Sequence, residues 1–105
     1  PESALSYVKT VQMVRTLSAI VLLHQRLHKT KEIQPRTLLQ TWHAHNALLG
    51  QVDPSNVLDI NAAYYALRDV RSNLLTVMQC NSCRISYIYD RELSLTSHCP
   101  YCKGE

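Results

Sequence analysis

Cys80-Asn81-Ser82-Cys83, then residues 84–98, then Cys99-Pro100-Tyr101-Cys102: all four cysteines of the chain fall in this one stretch. Two C-x₂-C units about 15–20 residues apart are a signature of a four-thiolate zinc site. Zn²⁺ has no d-electron geometric preference and takes four thiolates tetrahedrally at about 2.3 Å. A two-residue spacer aims both sulfurs of one turn at a single ion, and the segment between the turns must return the second pair to it. Ile85-Ser86-Tyr87-Ile88-Tyr89-Asp90 is rich in β-branched and aromatic residues, Leu93-Ser94-Leu95-Thr96-Ser97-His98 alternates apolar with polar, and Arg91-Glu92 can turn between them. The stretch therefore reads as a β-hairpin carrying a zinc ribbon, with Cys80, Cys83, Cys99 and Cys102 as ligands. With every position filled by protein, such an ion is structural and leaves no open place for a reactive water. Two readings compete with it. A pair of disulfides needs an oxidising compartment, and a redox-active C-x₂-C belongs near a βαβ pattern, which is not visible here.

Upstream of the first cysteine the apolar spacing is helical. Val57, Leu58, Ile60, Ala63, Tyr64, Leu67, Val70, Leu74 and Val77 recur at three-and-four spacing, with Asp53 as N-cap and Pro54 at the first helical position. This periodicity predicts a helix running to residues 77–79, almost straight into Cys80. A second helix begins at Pro35, buries Leu38, Leu39 and Trp42, and is stopped by Gly50. A first helix, or two consecutive ones, covers residues 3–29 and is capped by Ser3 or Ser6. Its apolar face, widened by Ile20, Leu22 and Leu23, is broad enough to meet more than one neighbour. The expected architecture is mainly α: a three-helix body over residues 1–79 and a Cys₄ ribbon over residues 80–105.

The 105 residues carry a formal charge of +3, and a zinc ion with four thiolates brings this to about +1, so global charge is weak evidence for nucleic acid. The placement of the cations says more. Arg84, Arg91 and Lys103 interleave with tyrosines, Tyr87 among them, in the ribbon, while Arg26, Lys29, Lys31 and Arg36 surround the first interhelix turn. Cations beside aromatic rings on a rigid tip suit phosphate contact; the plain alternative is that the tyrosines pack the small core and the charges solvate it. The sequence has no apolar run long enough to cross a membrane. No Gly-rich phosphate loop and no nucleophile motif occurs, so an enzyme is not expected. His24 and His28 have i,i+4 metal-ligand spacing, but without an acidic residue between them or an evident third ligand they read as a solvated or partner-facing pair. His98, next to Cys99, could replace a thiolate, although the four cysteines suffice.

Three helices followed directly by C-x₂-C…C-x₂-C resemble the C-terminal part of the flagellar master activator subunit FlhC, most closely from Pro54 to Cys102 through the helix Leu58–Leu75 and the run Ser72-Asn73-Leu74-Leu75. The sequence departs from that family where glycines usually follow the second cysteine; here Arg84-Ile85 stand in their place. Divergence of this kind is similar to the FlhC-like activators of conjugative plasmids and integrative elements. The resemblance implies a bacterial cytoplasmic transcription activator, working in a hetero-oligomer with an FlhD-like helical partner, binding double-stranded promoter DNA and assisting RNA polymerase. It carries over the four cysteines as zinc ligands and no other residue. The rival expectation is a zinc-stabilised protein-interaction module whose working surface is the apolar face of residues 5–23. A ribbon module of an RNA or transposition machine is a more distant third.

Overall fold

The protein was analysed as a computed structural model, which describes residues 3–30, 32–49 and 57–102. Three helices, α1 (Val11–His28), α2 (Pro35–Leu49) and α3 (Ile60–Arg71), precede an antiparallel hairpin of β1 (Thr76–Gln79) and β2 (Ser86–Tyr89). The mainly helical body and the cysteine-bearing hairpin expected from the sequence are both present. The helix starts and stops differ in instructive ways.

The first segment is broken. A 3₁₀ turn covers Ala4–Tyr7, and α1 starts only after Thr10, whose extended backbone lets its Oγ1 accept a hydrogen bond from Met13 N at 3.2 Å. Thr10, not Ser3 or Ser6, is thus the cap of the long helix, because its hydroxyl satisfies an amide that the first turn leaves without a partner. The helix closes at Lys29, in the left-handed region at φ 54°, where the backbone N–H reaches Gln25 O. Pro35 opens α2 as its spacing indicates. Gly50, Asp53 and Pro54, expected to stop α2 and start α3, lie outside the described residues. Within them, α3 is capped by Asp59, whose side chain accepts from Asn61 N at 2.7 Å.

The third helix does not run into Cys80. It ends at Arg71, and Asn73 takes the left-handed conformation at φ 66°. Leu74 N and Leu75 N both donate to Asp69 O, at 2.8 and 3.0 Å, closing the helix end. Asn tolerates this conformation better than most residues, so it can reverse the chain where Gly would usually stand. Leu74 and Val77 fit the helical spacing only by coincidence: Leu74 is exposed and Val77 faces inward from a strand.

The hairpin is also made from other segments than those expected. β2 pairs with β1, in the register Val77↔Ile88 and Met78↔Tyr87, rather than with residues 93–98. Residues Ser94–Thr96 form a 3₁₀ turn instead. Buried Thr96 pins this loop: its Oγ1 accepts from Asp90 N at 3.0 Å and lies 2.8 Å from the Asp90 and Leu93 carbonyls.

The core forms where α1 meets α3. Val14, Leu17, Ile20 and Val21 pack on an alanine-rich face of α3, Ala62, Ala63 and Ala66, with Leu67 and Val70 beside it. Small residues on α3 let the two backbones approach closely, while each large side chain buried contributes about 1.5–3 kcal/mol. Ile88 of β2 enters the same core, so the hairpin is a wall of the body and not an appendage. Trp42, packed against the core, donates from Nε1 to Leu58 O at 2.6 Å and ties α2 to the approach of α3.

An acidic side chain lies inside. Asp69 is 1 % exposed; its Oδ2 accepts from Ala4 N at 2.9 Å and its Oδ1 from Arg68 Nε and Nη2 at 3.1 and 3.0 Å. This carboxylate fastens the first turn of the chain to the end of α3. Asp69→Ala would strip a buried amide of its acceptor and is expected to cost about 2–4 kcal/mol. Asp59→Ala, which removes only a cap, should cost about 1 kcal/mol. Urea midpoints at unchanged m-value measure both, and equal losses would refute the assignment of Asp69 as the buried tie.

Candidate metal centre

The first cysteine pair forms the tip of the hairpin. Cys80 N donates to Ile85 O at 3.1 Å and Arg84 N to Cys80 O at 2.9 Å, which continues the ladder of β1 and β2 around the loop. Within it Ser82 N and Cys83 N point at Cys80 Sγ, at 3.3 and 3.5 Å. The chain can fold back so tightly because Arg84 adopts the left-handed region at φ 67°. It is a conformation that glycine takes without a steric penalty.

The second pair is delivered by the loop after β2 and held by α1. Arg15 Nε donates to Pro100 O at 2.7 Å, and Tyr101 Oη donates to Arg15 O at 3.4 Å. Neither tie spans a pattern that periodicity could reveal, since 85 residues separate Arg15 from Pro100. Arg15 therefore escaped the sequence reading.

The four sulfurs converge. Cys80 and Cys102 are 3.6 Å apart, as are Cys83 and Cys99, and all four sulfurs lie within 4.8 Å of one another. A disulfide requires about 2.05 Å, and all four cysteines are free thiols. Four thiolates around a tetrahedral ion at about 2.3 Å would stand about 3.8 Å apart. The cluster fits that arrangement, and the cysteines can hold a metal ion such as zinc. His98 is not among them: it is exposed, with Nδ1 3.0 Å from Ser97 Oγ.

The clustered thiols shift one another's acidity. Hydrogen bonds from the backbone N–H groups of Cys83 and Ser82 draw the Cys80 thiol down to about 6. Side-chain hydrogen bonds with Cys83 and Cys80 push Cys102 up to about 12, and burial pushes Cys99 up. Four clustered thiols resist joint ionisation through mutual repulsion; a divalent cation removes that resistance. Tyr87 and Tyr101 are raised in turn, chiefly by burial and then by the charge of Cys99.

The other residues proposed for phosphate contact divide. Arg84 and Arg91 are exposed in the ribbon, and Arg26, Lys29 and Arg36 are exposed around the end of α1 and the start of α2. Tyr87 is 9 % exposed and packs against Cys80 and Cys99, so its ring serves the metal centre rather than offering a stacking surface. Lys31 and Lys103 lie outside the described residues.

The fold and the cysteine cluster thus define a helical protein with a hairpin-borne four-thiol centre. Compared with known protein families, curated proteins and solved structures, the chain matches none of them.

Arg84→Gly should relieve the left-handed backbone and raise stability by up to about 1 kcal/mol; a loss of stability in thermal melts would refute the strain. Removing metal with a chelator, or substituting Cys83→Ala, should lower Tm for the α1 helical signal and not only for the ribbon, because Ile88 and Tyr101 are fixed to α1. An unchanged helical melt would show that the body stands without the centre.

Proposed function

We propose that this chain is a DNA-binding subunit of a bacterial transcription activator, similar to FlhC, whose Cys80, Cys83, Cys99 and Cys102 hold a structural Zn²⁺. In this reading the protein works in the cytoplasm beside an FlhD-like helical partner, on promoters of flagellar or conjugative-transfer genes. When bound, the ion fixes the ribbon's shape. Among the described residues no helix is long and apolar enough to cross a membrane.

The observation that carries the proposal is the placement of Arg84. It is exposed at the apex of a loop whose backbone is hydrogen-bonded to Cys80 O, and Gln79 Nε2 donates to Arg84 O at 3.0 Å. These bonds fix the backbone from which the Arg84 guanidinium projects, and phosphate contacts from defined backbone positions fix a protein's register on a duplex. Arg91 is exposed beyond the other end of β2 and is a second candidate for phosphate contact.

A second reading has its own support. Leu22 and Leu23 of α1, Leu48 and Leu49 of α2, and Ile85 and Tyr101 of the ribbon line a largely apolar groove of about 290 Å³. Leu48 is 64 % exposed there. Such a groove suits a protein partner without nucleic acid. It uses part of the face of residues 5–23 expected from the sequence: Leu22 and Leu23 line it, while Val8, Val14, Leu17, Ile20 and Val21 are spent on the protein's own core.

Anisotropy titrations of promoter DNA with the zinc-loaded protein, alone and with its co-purified partner, separate these readings. Arg84→Glu with Arg91→Glu should weaken binding and make the slope of log K against log salt shallower by about two. Chelation should abolish sequence preference. No DNA binding at any salt, with zinc and partner intact, overturns the activator reading in favour of the interaction module.

A further inference from the structure

We propose that His24 and His28 form a second cation site, separate from the four-cysteine centre, which takes a borderline transition-metal ion through the two Nε2 atoms. The residues stand one turn apart on the same face of α1. His24 is 1 % exposed, and the Nε2 atoms of both rings are buried without a hydrogen-bond partner. Buried polar atoms are almost always satisfied, and an orphan pair calls for a water or an ion.

The spacing of the rings is compatible with one shared ion. The ring centroids are 5.0 Å apart with the planes tilted by 51°. A metal about 2.0–2.1 Å from each nitrogen lies about 3.2 Å from each ring centre, and a tetrahedral angle then sets the centres about 5.2 Å apart. Burial first, and the neighbouring His28 second, hold His24 below the usual histidine range, so its ring is neutral at pH 7 as a metal ligand must be. A backbone hydrogen bond with Thr30 acts in the opposite direction.

The surroundings limit what else can bind. A cavity of about 10 Å³ adjoins His24 but not His28; it is bounded by Val21, His24, Gln25, Leu67 and Val70 and has room for about one water. No carboxylate lines it. Imidazole with water suits Zn²⁺, Ni²⁺ or Cu²⁺ and does not suit Mg²⁺ or Ca²⁺.

The test adds Ni²⁺ to the zinc-loaded full chain by equilibrium dialysis, with zinc and nickel counted per chain. One further equivalent of nickel is expected, with zinc retained. His28→Gln should weaken nickel binding at least tenfold, whereas His43→Gln, at an exposed histidine on α2, should leave it unchanged. In the unsubstituted chain, paramagnetic Ni²⁺ should broaden the NMR resonances around Val21, Leu67 and Val70 selectively. Absence of a second equivalent overturns the proposal. So does equal nickel uptake by His28→Gln, or broadening confined to the ribbon.

Discussion

Ile88 N–H is buried, and a two-stranded sheet offers it no further strand. Ser18 Oγ accepts from it at 2.9 Å while donating to Val14 O at 2.6 Å, one turn back along α1. An unmatched amide here would cost about 1–3 kcal/mol. A serine in mid-helix thus does the work of a third strand: it lets a sheet edge lie flat against a helix and puts the Ile88 side chain in the main core. The position of both cysteine pairs depends on this docking. The first pair caps the hairpin that Ser18 anchors, and the second is fastened by Arg15 on the same helix. α1 is consequently the common reference for the body and for the metal centre, and the sulfurs meet only because the two attachments lie three residues apart on one rigid element.

Much of this was legible from the residues. The cysteine spacing identified the centre because two thiolates in one turn leave few other uses. Pro35 marked a helix start because its missing N–H is not needed there. The periodicity of α1 and α3 located most of the core. The failures cluster at residues 72–79, where Leu74 and Val77 continue a helical spacing that the backbone has already left. Nothing in an apolar pattern distinguishes a helix that continues from one whose Asn73 turns left-handed, since that choice is settled by Asp69 O accepting two amides at once. The hairpin partner was missed for a related reason: Thr76-Val77-Met78-Gln79 is short and mostly exposed, and only its register against Ser86–Tyr89 makes it a strand.

The basic residues illustrate a different limit. Their types were visible, but not which of them the fold would fix. Arg15 serves the metal centre through a carbonyl 85 positions away, Arg68 partners a buried carboxylate and lies 4.7 Å from the Tyr65 ring centre, and Arg84 is left outside on a constrained apex. The reach of Arg15 leaves no trace in local sequence, and adjacency alone does not reveal that Asp69 is buried, so a cation with an interior duty looks the same as one available to a ligand.

The lateness of Ile88 in the chain has a bearing on biosynthesis. A ribosome releases α1 and α3 before it releases β2, and until then Ser18 and the part of the core that Ile88 fills have nothing to close over them. The helices can form early because their contacts are local, but the core is sealed only by pairings that reach back some seventy residues, and such pairings form slowly. Metal capture at the first cysteine pair would shape the hairpin before it docks, and so shorten the interval in which the nascent body displays its interior to other chains.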